Sequence, residues 1–471
     1  MSLFSGKFQL VFFMSIRSNP DQPQDELFRS RLENMIDMNH PLVKLGQGID
    51  WEVFDREFGK HYAAKVGRPA TRTRLIVGLT YLQFMYDMSD EAVVECWVES
   101  PYWQHFTGEE YFQHDFPLHP TTLVKWRRKI GEEGCEWLLT QTLQAGKKLG
   151  VLKTSSLDKV VVDTTCMEKA IAHPVDSKLF NRMREHLVKE AESLNITLRQ
   201  NYNQVAPQLV KKAARYGHAK QYARMRKASN KLRTILGRVI RDIERKAQET
   251  TTTLTAKMTE LLTLAKRLKA QQRNSKDKVY AIHAPEVACI AKGKARNPYE
   301  FGAKVSIAVT AKDSWVVGAR TFKGNPYDGH TLEEAFDQIK AIIDHIPKQV
   351  YVDRGYRAAY LGQQTDVIIT GQKRHSKTTK RWMKRRNSVE PIIGHLKTGH
   401  KMQRNWLKGH LGDIMVPILA ASSFNLKKIL RALALFAPKT YEWIMALLAD
   451  FCGKAENSRR HHKQINSLIA A

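Results

Sequence analysis

Three carboxylates stand out from a strongly basic background. Asp163 follows the β-branched run "DKVVV", Asp353 follows "KQVYV", and Glu390 lies in "RRNSVEPIIGHLK". The two runs read as buried strands, and each is expected to end at its acid. A buried strand is a costly place for a charge unless something compensates it. The ends of adjacent strands in a mixed α/β sheet are also where ligands bind. Three carboxylates converging there suit Mg²⁺, a hard cation that takes oxygen ligands and keeps several waters. Two such ions roughly 3.5–4 Å apart can activate a water and stabilise the leaving oxygen of a phosphodiester displaced in line. Taken singly, each acid has a plainer reading. A strand-terminal Asp commonly serves a turn, and Glu390 could answer a helix dipole with Ser388 as N-cap. The order strand-acid, strand-acid, helix-acid favours the metal site.

The cations nearby are expected to hold phosphate. On an ideal helix Arg386 and Lys397, four before and seven after Glu390, share its face. Pro391 disturbs this, because it cannot donate to Asn387 and disfavours helical geometry at Glu390. The helix either begins near Ser388 or is kinked there. Arg354, Tyr356 and Arg357 follow Asp353 directly in "RGYR" and are read as phosphate contacts. The whole chain points the same way. Its 471 residues carry 76 Lys and Arg against 47 Asp and Glu, a net charge of +29. Such a field attracts nucleic acid, since each cation set against a phosphate releases a counterion. A ribosome-associated or merely soluble basic protein is the plainer alternative.

An apolar fraction of 42% is that of a folded protein. Five scattered cysteines imply a reducing compartment, with neither a disulfide framework nor structural zinc. "FQLVFFM" is too short to span a bilayer, and Met14 offers a second start. "IMVPILAASSF" is read as a core helix rather than a membrane span. A cytoplasmic, nucleoid-associated protein without membrane contact is expected.

The elements that must position these groups divide the chain. Residues 1–40 read as a flexible arm. Residues 41–150 are helical, with Ser89 as an expected N-cap. Within them "HPTTLVKWRRKIG" opens a short helix after Pro120 and stops at Gly131, resembling a helix-turn-helix reader that presents Lys125, Arg127 and Arg128. Residues 151–176 and 276–435 carry the strands of a mixed-sheet core. There "FGAKVSIAVTAKDSWVVGARTFKG" is a hairpin and "DGHTLEEAFDQIKAIID" a helix. Asp328 and His330 are assigned to a turn and a helix cap, although their segment could lie beside the site, and His395 and His400 are assigned to a helix surface. His173 and Asp176 are divided between a turn and a place near Asp163. Residues 177–275 form a basic helical block. Its stripes at Leu232, Ile235, Val239 and Ile243, and at Leu254, Met258, Leu261 and Leu268, predict two antiparallel helices or a coiled-coil arm. That block could lie on DNA or a partner subunit, or simply be solvated. Residues 436–471 are a C-terminal helix and tail.

"VVVDTT", "AIAHPVDSKLF", "FGAKVSIAVT", "GNPYDGHTL", "VYVDRGYR" and the segment around Glu390 together resemble the DDE transposases of bacterial insertion sequences, the insertion-sequence-five-like group. Arg386, Glu390 and Lys397 match that group's signature in type and spacing. Met383 stands where its tyrosine would be, with Trp382 beside it. The resemblance implies an α/β fold: a ribonuclease-H-like mixed-sheet catalytic core with an N-terminal all-helical DNA-binding domain and a long helical insertion. It implies Asp163, Asp353 and Glu390 as catalytic and metal ligands for two Mg²⁺ ions, with Mn²⁺ able to substitute. It further implies cleavage at terminal inverted repeats, strand transfer into target DNA, and a homodimer or higher oligomer on DNA. A non-catalytic DNA-binding protein and a nuclease that cuts without joining are the alternatives.

Overall fold

The computed structural model describes residues 29–60, 71–249, 254–272, 274–276, 278–291, 298–357, 361–371 and 375–435, with backbone only at 14–15 and 68–69. The C-terminal helix and tail expected at 436–471, and most of the expected arm, lie outside the described residues. The end of that arm is packed rather than loose: Leu32 is fully buried and its N–H donates to the Glu110 carbonyl at 2.8 Å.

Strand β1 (Met14–Ser15) pairs with β2 (Arg68–Pro69). Helices α1 (Leu32–Met35), α2 (Pro41–Gly48), α3 (Trp51–Gly59), α4 (Thr73–Met85), α5 (Asp90–Glu99) and α6 (Pro101–Phe106) form the N-terminal bundle. Helix α4 is buried along almost its whole surface and is the bundle's centre. Ser89 caps α5, its Oγ accepting from the Ala92 N–H. The expected stop at Gly131 is a break within α7 (Thr121–Lys148), not an end: Gly131 has φ 64° and ψ −157°, and helix resumes at once. Positive φ is the reason glycine stands there.

The sheet is mixed. Strand β3 (Lys159–Lys169) is central, and one of its edges pairs antiparallel with β5 (Tyr299–Thr310). Strands β4 (Ala288–Ala291) and β6 (Val316–Phe322) pair in succession with the far edge of β5. Helix α12 (Asp328–Ile343) leads to β7 (Gln349–Val352) and β8 (Asp366–Ile369), both parallel to β3. Helices α13 (Lys377–Arg385) and α14 (Val389–Gly399) follow, then β9 (Arg404–Asn405) and α15 (Gly409–Leu435). The apolar stretch around Pro417 is the buried middle of α15, which packs on α2, α4, α7 and β6. One continuous hydrophobic core therefore runs from Leu42 to Leu430 and joins the N-terminal helices to the sheet. Among the described residues no helix is long and apolar enough to cross a membrane.

The helical block between β3 and β4 holds four helices, not the expected two. They are α8 (Asp176–Ser193), α9 (Val205–His218), α10 (Tyr222–Glu249) and α11 (Ala256–Ala270). They enclose a core of their own, which contains Leu232, Val239, Ile243, Met258 and Leu268 from the two expected stripes. The missed partner is α8, whose Phe180, Met183, Leu187 and Val188 complete that core.

Arg127 is corrected here. Its side chain is buried and bidentate to Asp90, with Nη1–Oδ1 at 2.7 Å and Nη2–Oδ2 at 2.6 Å, and Nη1 also reaches Gln83 Oε1 at 3.2 Å. Burial pushes the Asp90 carboxyl up, but the Arg127 fork and charge bring it below the usual carboxylate range. Arg127 thus ties α7 to α4 and α5 and is not free to meet DNA. Lys125 and Arg128 are exposed on the same helix. Removing one partner of a buried pair strands the other, so Arg127→Ala is expected to cost about 3–5 kcal/mol in urea unfolding. Arg128→Ala should stay within about 0.5 kcal/mol of the parent. A cost below 1 kcal/mol for Arg127→Ala, together with weakened DNA binding, would return Arg127 to a DNA-facing role.

Candidate active site

The pairing of β3 explains where its acid sits. Along its second edge β3 pairs with β7 only over Lys159–Val161, then with β9 only at Glu168–Lys169. Asp163 lies in the unpaired gap between them, mid-strand rather than at a strand end as expected. The parallel register matches Val161 with Tyr351. Continued by two residues, it sets Asp163 beside Asp353, the first residue after β7. Neighbouring parallel strands run about 4.8 Å apart with matched side chains on one face. Two carboxylates so placed repel, and β7 ends where it would bring them together. Asp353 turns away to cap the 3₁₀ turn Arg354–Tyr356, its Oδ1 accepting from the Gly355 N–H at 2.7 Å.

Glu390 reaches the same place from the other side. Helix α14 packs on β3 and β5 through Val389, Ile392 and Leu396. A 3₁₀ turn, Arg386–Ser388, separates it from α13, so the helix restarts at Val389 just before Pro391. Arg386, in that turn, lies between the acids. Its Nη1 is 3.8 Å from Asp163 Oδ2 and its Nη2 is 3.9 Å from Glu390 Oε1. The guanidinium is mostly buried, and its Nη1 has no hydrogen-bond partner among the described residues. Glu390 is two-thirds exposed and faces solvent.

Electrostatics ties the group together. Burial pushes the Asp163 carboxyl up to about 6, with Asp353 and Glu390 adding in the same direction. The Arg386 charge and the Thr164 N–H, 2.8 Å from Asp163 Oδ1, oppose the rise. Tyr356 is fully buried. Its hydroxyl is held well above the usual tyrosine range by burial first, then by Asp163, Asp328 and Asp353. Tyr356 is therefore part of the floor of the site and is not exposed for phosphate, a correction to its expected role. Asp328 was missed. It does not cap α12 with its side chain; its Oδ1 accepts from Thr164 Oγ1 at 2.8 Å and lies 2.6 Å from Lys304 Nζ. A Cβ built on Gly355 would come 2.9 Å from Asp353 Oδ1 and 3.2 Å from Asp328 Oδ2, so the two acids flank that glycine.

Four acids and one buried arginine thus meet around the β3 gap. The donor set is hard oxygen, which is what a divalent cation such as Mg²⁺ takes. As they stand, no three His, Cys, Asp or Glu among the described residues are arranged to hold a metal ion. Arg386 supplies the positive charge instead.

Comparison with known proteins bears on the N-terminal part of the chain. A family model described as a transposase domain (DUF772) matches residues 30–129, the N-terminal bundle and the start of α7. The chain therefore carries a transposase-family domain over that stretch. Over 205 residues, 44% of this chain and 99% of the other, it is 46% identical to the uncharacterized protein ORF8 in nfe locus of Rhizobium meliloti. No solved structure gives a significant match.

In the structure Asp163, Asp353, Arg386 and Glu390 come together. Lys397 is two helical turns from Glu390, about 10 Å along α14. Arg354 and Arg357 are exposed, with Arg354 lying over Gly371 beyond β8. Trp382 is occupied by cations: Lys159 Nζ is 4.6 Å and the Arg385 guanidinium 5.3 Å from its ring. His173 packs edge-on against Phe301, and Asp176 opens α8, neither at the acid cluster. His400 is corrected: it is buried, its Nδ1 is 3.1 Å from the Phe84 carbonyl, and burial lowers it to about 3.

A carboxyl that protonates near pH 6 when folded, and near 3.8 when unfolded, weakens the fold at neutral pH. Between those values the folded chain holds more protons, so stability rises as pH falls toward 4. In EDTA at pH 7.5, Asp163→Asn should exceed the parent in urea stability by on the order of 2 kcal/mol. The gap should close by pH 4. Equal stabilities at pH 7.5 would contradict the crowding of acids at this site.

Proposed function

We propose that this chain is a DDE-type DNA transposase with Asp163, Asp353 and Glu390 as its catalytic acids. The observation that supports the reading best is the register of β3 and β7. It leads two acids from distant segments toward the same opening in the sheet, where β7 ends, and α14 brings a third to it. The three would hold Mg²⁺, as two ions, with Mn²⁺ able to substitute. The ions would activate first water and then a 3′-hydroxyl for in-line attack on phosphodiester bonds. The fold that carries them would be ribonuclease-H-like, with β3, β5 and β6 in sequence, then α12, then β7.

The protein's own groups prepare that chemistry. Arg386 keeps Asp163 and Glu390 oriented while no other cation lies between them. Thr164 and Gly355 donate backbone hydrogen bonds that fix one oxygen on each of Asp163 and Asp353. Lys304 and Thr164 fix the position of the Asp328 side chain behind them. Arg354, Arg357 and Lys397 would take the phosphates flanking the scissile bond. Lys125 and Arg128 on α7 are the exposed cations with which the N-terminal bundle would bind the element's terminal inverted repeats. Cleaving both ends of an element in trans would call for a dimer or higher oligomer.

Asp353→Asn and Glu390→Gln should bind DNA carrying the element's ends as the parent does. Each should lose cleavage by at least about 10³-fold, equivalent to about 4 kcal/mol of transition-state stabilisation. EDTA should stop the parent, and Mg²⁺ or Mn²⁺ should restore it. Variants that behave like the parent in every DNA assay would leave only a DNA-binding protein. Cutting without joining, when a 3′-hydroxyl end and target plasmid are supplied, would leave a nuclease.

A further inference from the structure

We propose that the hairpin of α9 and α10 in the helical insertion is a docking surface for the phosphate backbone of duplex DNA, read without regard to base sequence. The inference rests on the transposase reading for the presence of DNA, but on different residues from the acid site. Between residues 193 and 241, forty-nine positions, the chain has twelve Lys or Arg and no Asp or Glu. A helix that is merely solvated usually mixes its charges. The rest of the insertion does so: Arg182 pairs with Glu185 at 3.1 Å, Lys266 with Glu244 at 2.5 Å, and Lys257 with Glu190.

The packing turns those cations outward. Helices α9 and α10 bury Ala206, Leu232, Leu236, Val239 and Ile240 in the insertion core. On the opposite side of α10, Arg224, Lys227, Lys231, Thr234, Arg238 and Arg241 recur at intervals of three and four and are all exposed. At 100° and 1.5 Å per residue they occupy an arc of about 100° and run about 25 Å along the helix. Lys227, Lys231 and Arg241 have no ion pair or hydrogen bond with any other described residue. Two open grooves follow the stripe. One, of about 530 Å³, is lined by Arg226, Lys227, Asn230, Lys231 and Thr234. The other, of about 680 Å³, adds Arg199, Tyr202 and Arg245 to Arg238 and Arg241, and Asp242 and Glu244 also line it where the acid-free stretch ends.

The stripe's chemistry selects its partner. Long cations interleaved with Asn230 and Thr234 are the groups that contact phosphate and sugar, and such contacts carry no sequence information. The stripe has no apolar residue of the kind that anchors an interfacial helix or forms a protein-interface core. A second copy of the chain, itself at +29, is disfavoured at this cationic stripe, whatever contact it makes elsewhere.

The test uses the full chain and two 30-bp duplexes of unrelated sequence, with affinity measured by fluorescence anisotropy across a salt series. Each phosphate neutralised adds about 0.9 to the salt slope. The triple variant Lys227→Ala, Lys231→Ala, Arg241→Ala should therefore have a slope shallower by about 2.7 on both duplexes. Its affinity at low salt should fall at least tenfold, and its unfolding midpoint should match the parent's. An unchanged slope, or a loss confined to one duplex, overturns the proposal. Glu390→Gln in the same series should keep the parent slope whether or not it cleaves, so failure of the catalytic reading and failure of this one are scored separately.

Discussion

Two carboxylates held side by side on neighbouring parallel strands repel by about 3 kcal/mol at 5 Å and an effective dielectric near 20. The centre of this sheet is arranged around that repulsion. Strand β3 is fully paired with β5 on one edge, yet on the other it is paired only before Asp163 and again from Glu168. Continuing the ladder with β7 would add backbone hydrogen bonds worth about 1 kcal/mol each. It would also press Asp353 against Asp163 in a half-buried setting. The strand instead ends and the acid caps a turn.

An opening in a sheet's centre needs firm walls. At the far end of the gap, buried Lys169 pairs with Asp413 of α15 at 2.7 Å and with Glu286 at 3.1 Å, and Asn405 of β9 donates to the same Asp413 oxygen. This network fixes where β3 and β9 meet again. Asn425, further along α15, both donates to and accepts from the Val316 backbone at the start of β6. On the other side, Arg320 of β6 joins Glu334 of α12 to Glu132 of α7. The N-terminal bundle is thus bolted to the sheet by side chains as well as by the shared core, and the acids stand on a braced frame.

How much of this could be read from the chain depends on whether the deciding partner is local. The buried strands, the 311–315 hairpin turn and the Ser89 cap rest on patterns a few residues long, and they appear where those patterns put them. Asp163 was read as a strand end because its β-branched run stops there. The strand continues because β5, some 140 residues away, pairs with Thr164 through Glu168. Arg127 has the same local signature as Arg128, and only Asp90, 37 residues earlier, tells them apart. Asp328 sat in a segment already marked out, "YDGHTL", and its neighbours suggested a cap. Its hydrogen bond to Thr164 crosses 164 residues of chain. In the insertion the spacing of Phe180, Met183 and Leu187 was legible, but the density of charge around it concealed a third stripe.

Arg386 shows how the same site can be stable and still be available. A guanidinium engages a carboxylate most strongly through two short, parallel hydrogen bonds. Here it stands 3.8 and 3.9 Å from two different acids, and its buried Nη1 is left without a hydrogen bond. It balances their charge without binding either of them tightly. It also sits in a short 3₁₀ turn, where hydrogen-bond geometry is poorer than in the α-helices on either side. A phosphate at the mouth of the gap would offer two oxygens to the planar guanidinium, the bidentate engagement that neither acid provides here. Drawing Arg386 toward that phosphate would uncover Asp163 and Glu390 at the moment the DNA arrives. On this argument the arginine between the acids does not count against their holding a cation. It offsets the charge of the acid cluster as the chain stands, and on the proposed catalytic reading its loose geometry would let substrate displace it.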